Sequence, residues 1–134
     1  MFAPMGEPLC LLAAGKILVL AVSSFTLSWM HSVEKIEWWE QWRVQGTALK
    51  LELARVKGSG AGMEAPEDAV LINGSWEFQP ALAALPKLVL ADSGATPSGW
   101  TLCTSSKCLE LGAEPGPPIV LWAGRAGECE APPP

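Results

Sequence analysis

The chain has 134 residues, enough for one domain with a buried core and too few for two comfortable ones. Its net charge is −5 and its Lys and Arg are few and scattered, so no basic surface follows a phosphate backbone and nucleic-acid binding is disfavoured. A hydrophobic fraction of 49% excludes a wholly disordered chain, and 13 Gly with 12 Pro favour many turns over long helices.

In chain order, residues 1–8 read as a loose lead-in, 9–123 as a single β domain, and 124–134, which end in three prolines, as a disordered tail. The first predicted strands are Leu9–Ala13 and Ile17–Ala21, nearly continuous in apolar residues, with Gly15 supplying the turn. A secretory signal would put positive charge ahead of an unbroken apolar run. Here the first charge is Glu7, and Lys16 interrupts the run. The uncharged stretch Ile17 to Met30 has 14 residues, short of the roughly 18 of a membrane span. No signal peptide or transmembrane segment is therefore predicted. The default location is cytoplasmic, with a periplasmic or membrane-peripheral one left open.

The stretch FTLSWMHSVEKIEWWEQWRVQGTALKLELARVK, Phe25 to Lys57, carries the only histidine and four of the seven tryptophans. A two-residue loop at Gln45-Gly46 would set Trp42 opposite Leu49, Glu40 opposite Leu51, Trp38 opposite Leu53 and Ile36 opposite Arg55. A turn over Ser32-Val33-Glu34-Lys35 would set His31 beside Ile36, Trp29 beside Trp38, Leu27 beside Glu40 and Phe25 beside Trp42. Both pairings give the same apolar face, as alternation in a half-solvated antiparallel sheet requires. Beyond Lys57 come a glycine-rich loop, a hairpin from Val70 to Phe78 with Asn73-Gly74 at its tip, and short strands at Lys87–Ala91, Trp100–Thr104, Cys108–Leu111 and Ile119–Trp122. The expected fold is all-β, a small antiparallel sandwich or partly closed barrel of about 8–9 short strands.

Glu40 is the sharpest candidate for chemistry, because it falls in an apolar row between Trp38 and Trp42. A buried carboxylate requires a partner or a raised pKa. On this pairing His31 and Arg55 share its face about two residues further along the sheet, which gives a ligand-binding pocket, a structural ion pair, or a face partly open to water at that point. No catalytic set is predicted. His31 and Ser32 point to opposite faces of a strand, and no third orienting acid or oxyanion hole is signalled. His31 with Glu34 falls short of a metal site, and no cofactor is implied. Gly58-Ser59-Gly60-Ala61-Gly62 lacks the lysine and spacing of a phosphate loop and reads as a tight connection, although its N–H groups could cradle an anion. Cys103 and Cys108 stand opposite each other on a hairpin, which leaves open a disulfide, a pair of thiols or a metal pair. Cys10 and Cys129 have no obvious partner. Trp39 lies on the polar face, where a ligand or a partner could cover it.

The run FTLSWMHSVEKIEWWEQWRV, the Gly58–Met63 loop and Asn73-Gly74-Ser75-Trp76 together resemble the bacterial family called domain of unknown function 1850. Its members show a His-Ser-Val-Glu turn, a Trp/Glu/Arg strand, a Gly-Ala-Gly loop and an Asp- or Asn-Gly-x-Trp hairpin. The resemblance runs from about Leu9 to Leu111, with motif positions His31, Ser32, Glu34, Glu40, Gly60 and Gly62. It implies a small bacterial protein whose gene often lies beside those of a tripartite ATP-independent periplasmic (TRAP) transporter, and it transfers no catalytic residue. Two functions follow as expectations: an accessory or interaction protein for a TRAP transporter component, or a small-ligand or anion-binding module using His31, Glu40 and Arg55. An enzyme is the weaker reading, and the oligomeric state is left open.

Overall fold

Among the described residues, short apolar runs broken by Gly, Asn and Pro produce eleven strands and no helix. The computed structural model describes residues 7–30, 37–57, 68–91, 99–112 and 114–134. The strands are β1 (Leu9–Ala13), β2 (Lys16–Leu20), β3 (Ser24–Met30), β4 (Glu37–Gln45), β5 (Ala48–Lys57), β6 (Val70–Ile72), β7 (Ser75–Phe78), β8 (Lys87–Leu90), β9 (Trp100–Cys103), β10 (Cys108–Leu111) and β11 (Ile119–Ala123). They form a four-stranded sheet, β2-β1-β11-β8, and a seven-stranded sheet, β10-β9-β3-β4-β5-β7-β6. Every pairing is antiparallel, and neither sheet closes into a barrel. The fold is an all-β sandwich.

Local turn chemistry sets the hairpins. Asn73 and Gly74 have φ of 50° and 82°, the paired positive values of the tight turn that an Asn-Gly step favours. The β4–β5 loop is Gly46-Thr47, one residue later than the sequence reading placed it, with Gln45 opposite Ala48 and Gly46 at φ 60°. That moves Trp42 opposite Leu51. A second departure follows: Trp42 pairs with Leu51 but Gln41 with Leu53, leaving Glu52 as the extra residue of a β-bulge. Burial records the consequence. Leu49 and Leu51 are buried before the bulge, and Ala54 and Val56 after it, so the inward parity of β5 switches at Glu52. Polar partners hold Glu52 on the outer face, with Arg43 Nε at 3.0 Å and Gln41 Nε2 donating at 3.4 Å.

The core lies between the sheets. Leu9, Leu11 and Leu20, with Leu90, Ile119 and Leu121, face Phe25, Leu27, Trp42, Leu49, Leu51 and Leu102. β8 and β11 pack over β5, and the core contains no residue of β6 or β7. The β7–β6 hairpin therefore projects past the small sheet. Val70 and Leu71 are each 57% exposed.

Residues 124–134 are not a disordered tail. Cys129 forms a disulfide with Cys10, Lys87 Nζ donates to the Pro133 carbonyl at 3.2 Å, and the Arg125 and Glu128 backbones pair with each other. Proline content points to disorder only where nothing ties the segment down. Here a covalent bond does so, lying on the face of the small sheet where Trp122 and Cys10 are buried. The tail leaves that sheet through a tight crossing at Gly124, whose N–H donates to the Pro8 carbonyl at 2.8 Å. A Cβ at Gly124 would collide with the Glu128 carbonyl and come within 2.8 Å of Cys10 Sγ and Pro8 Cγ. Gly124→Ala is therefore expected to destabilise by about 1–3 kcal/mol, the cost of forced overpacking. Urea denaturation would measure it, and an unchanged midpoint would show that the tail moves aside freely.

Candidate functional site: an aromatic row with one carboxylate

Pairing across the large sheet lines up one residue from each strand on its inner face: Leu111, Trp100, Trp29, Trp38, Val56, Trp76 and Leu71. The adjacent row holds Leu109, Leu102, Leu27, Glu40, Ala54 and Phe78. Four of the seven tryptophans thus share a single line. Trp29 contacts a ring on each side: Trp100 at 4.6 Å between centroids, tilted by 46°, and Trp38 at 6.1 Å, nearly parallel. Trp100 is further fixed by its indole N–H, which donates to the Ala91 carbonyl at 3.1 Å. Toward the projecting β7–β6 end, Trp38, Trp76, Phe78 and Glu40 are partly exposed, while Ala54 and Val56 between them are 3% and 1% exposed.

Glu40 is the only charged residue in either row. Its cross-strand neighbours are Leu27 and Ala54, and no Lys or Arg ion-pairs with it among the described residues. One hydrogen bond orients it, from Trp42 Nε1 to Oε1 at 3.0 Å. Burial raises its pKa above the ordinary glutamate value, and the Trp42 hydrogen bond opposes that rise more weakly. Because the folded form holds this proton more tightly than the unfolded chain, Glu40 favours folding most below the ordinary glutamate range. That contribution is lost as pH rises through the folded value. Glu40→Gln keeps an acceptor for Trp42 and removes the titration. The variant is expected to exceed wild type in stability at neutral pH and to lack this decline when urea midpoints are compared across pH. Identical slopes in the two proteins would show that Glu40 ionises without cost.

The sequence reading places Arg55 on the same face as Glu40, and the bulge overturns this. Arg55 pairs with Trp39 and Glu77 on the opposite face. Its guanidinium lies 4.4 Å from the centre of the Trp39 ring, and its Nε is 2.5 Å from Glu77 Oε1. The exposed tryptophan expected on the polar face is thus covered from within the chain by a cation–π contact. His31, Ser32, Glu34, Gly60 and Gly62 lie outside the described residues, so Glu40 and Arg55 are the expected site residues that the fold locates. Cys103 and Cys108 are joined by a disulfide on the outer face, beside Thr26. No group of three or more His, Cys, Asp or Glu that could hold a metal occurs among the described residues. No helix there is long and apolar enough to cross a membrane.

A family model described as a domain of unknown function (DUF1850) matches residues 25–111, nearly two thirds of the chain. The chain belongs to this family. No curated protein and no solved structure matches it. The DUF1850 segment begins at Phe25 rather than near Leu9, and it holds nearly the whole seven-stranded sheet together with β8. The aromatic rows and Glu40 therefore belong to the family segment. β1, β2, β11 and the disulfide-tied tail flank it. Sequence reasoning paired Trp29 with Trp38 but missed Trp76 and Trp100. Their signal is apolar residues at strand positions whose register only the long-range pairings of β7 and β9 define.

Proposed function

We propose that this DUF1850 protein is a binding module, with a small solute docking on the inner face of the large sheet where that sheet runs past the small one. The supporting observation is the partly exposed group of Trp38, Trp76 and Phe78 around a carboxylate that has no cationic partner among the described residues. Mostly apolar lining with one placed polar group is the usual make-up of a small-molecule site. A solute panel of anions, neutral polar compounds and organic cations, read by thermal shift and tryptophan fluorescence, tests this. Binding should occur for at least one class and weaken in Trp76→Ala. If no class gives a saturable signal, the reading fails.

The finer reading is an accessory role beside a TRAP transporter in the bacterial cell envelope. Its support is the family resemblance together with two disulfides, which persist in oxidising compartments and are rare in the cytosol. Crosslinking of the tagged protein in cells should recover a transporter component. Recovery of none would remove this role and leave the solute-binding reading intact.

A further inference from the structure

We propose that the solute is a small organic cation, an alkylated ammonium resting on Trp38 and Trp76 with its charge against the Glu40 carboxylate. This rests on the solute-binding reading above and narrows it to one chemical class.

Charge complementarity selects the class. Glu40 is the only charged side chain on the inner face of the large sheet among the described residues. Arg43, Lys50, Arg55, Lys57 and Glu77 all take outward positions by register. An anion would therefore meet a carboxylate and, among the described residues, no compensating cation. A hydrated metal ion would need several oxygen ligands, and the two rows provide one carboxylate. A neutral polyol would need a series of donors and acceptors, yet Glu40 is the only side-chain acceptor in the two rows. An alkylated ammonium needs none of these, because it is weakly hydrated, gains from indole rings, and requires a single counter-charge.

The layout fits its size. Trp38 and Trp76 stand two strand spacings apart, with Val56 between them, so their backbones are separated by roughly 10 Å. One compact cation in that interval comes within about 6 Å of both rings, the range in which the ring quadrupole acts. Glu40 sits one row away on the same strand as Trp38, and Trp42 Nε1 anchors one of its oxygens, leaving Oε2 without a hydrogen bond among the described residues. Leu27 on β3 and Ala54 on β5 face it across the sheet without charge, so among the described residues the ligand would be its sole ionic partner.

The experiment titrates the full-length oxidised protein with choline and, separately, with its uncharged isostere in which carbon replaces the quaternary nitrogen, following tryptophan fluorescence. Choline is expected to bind about tenfold more tightly than the isostere. Glu40→Gln should abolish that preference, bringing the choline affinity down to that of the isostere measured in the same variant. Affinity for choline, but not for the isostere, should also rise with pH across the titration of Glu40, because ionisation creates the counter-charge. Equal affinities for the two probes, or a preference that survives Glu40→Gln, would overturn the cation assignment. Saturable binding only of an anionic or neutral compound, weakened by Trp76→Ala, would overturn it too while sustaining the solute-binding reading. Silence from every class would end both.

Discussion

Replacing Cys10 and Cys129 with Ala is expected to cost about 5 kcal/mol, against about 2 kcal/mol for the same change at Cys103 and Cys108. The difference comes from the unfolded chain. The first bridge joins residues 119 apart and the second residues 5 apart. The entropy that a crosslink removes from the unfolded ensemble grows with the logarithm of the loop it closes. The long bridge also holds the tail against the small sheet, where Cys10 and Trp122 are 0% and 3% exposed. A loss of this size equals the whole stability of many small domains. The oxidised protein should therefore unfold on the order of 15 °C higher than the Cys10/Cys129 variant, and reductant alone should reproduce most of the shift. Urea denaturation of the wild type and both paired variants, with and without reductant, separates the two bridges. Equal losses for the pairs, or a reductant-insensitive wild type, would refute the assignment of stability to the long bridge. Confirmation would also bear on location, since a fold that depends on this bond suits an oxidising compartment.

How much of this was legible in the sequence depended on the range of the interactions. Leu9–Ala13 and Cys108–Leu111 were read to the residue, and the Asn73-Gly74 hairpin was placed correctly, because turn residues and alternation are local signals. Arg55 was misplaced because the hairpin was extended at uniform register through Glu52. Leu49, Leu51 and Leu53 look like one continuous face, and only the tertiary structure turns Leu53 outward and Ala54 inward. Arg55 next to Ala54 held a faint hint, since an arginine seldom faces a core unpaired. The Cys10–Cys129 bond was invisible for a different reason. It joins the two ends of the chain through the packing of β1 on β11, which no local pattern encodes. Glu40 keeps its unusual position, opposite Leu27 and between Trp38 and Trp42 along its strand, but Arg55 no longer shares its face.

The division of the chain carries a functional consequence. The family segment supplies the large sheet and its aromatic rows, while β1, β2 and β11 make up three of the four strands that cover it. Covering is therefore mostly the work of the flanks. The small sheet reaches β5 and stops, and it is beyond that border that Trp76 and Phe78 stay accessible. A broader cover would turn the same residues into ordinary core. Their incomplete burial makes the overhanging face a surface on which a solute could rest.

Trp42→Ala is expected to cost about 3–5 kcal/mol, because it empties a large core volume. Trp42 is 3% exposed, lies nearly parallel to Phe25 at 6.4 Å between centroids, and donates to Glu40. Trp42→Phe separates the two roles, since it retains most of the ring and deletes the N–H. Its expected cost is about 1–3 kcal/mol, the range for leaving a partly buried acceptor unpaired. Loss of the N–H also removes the one influence that lowers the Glu40 pKa, so the pKa should rise further. The pH-dependent decline in stability should then extend to higher pH in Trp42→Phe than in wild type, since the folded form keeps its proton longer. In the Glu40→Gln background this extension should vanish, because nothing remains to titrate, while the cavity cost of Trp42→Ala should persist. A double-mutant cycle across Trp42→Phe and Glu40→Ala, which unlike Gln leaves the indole no acceptor, should give a coupling of about 0.5–1.5 kcal/mol at neutral pH. Strict additivity, with unchanged pH profiles, would mean that the indole and the carboxylate are neighbours without an energetic link. Glu40 would then be a solvated edge residue rather than the poised counter-charge of a binding face.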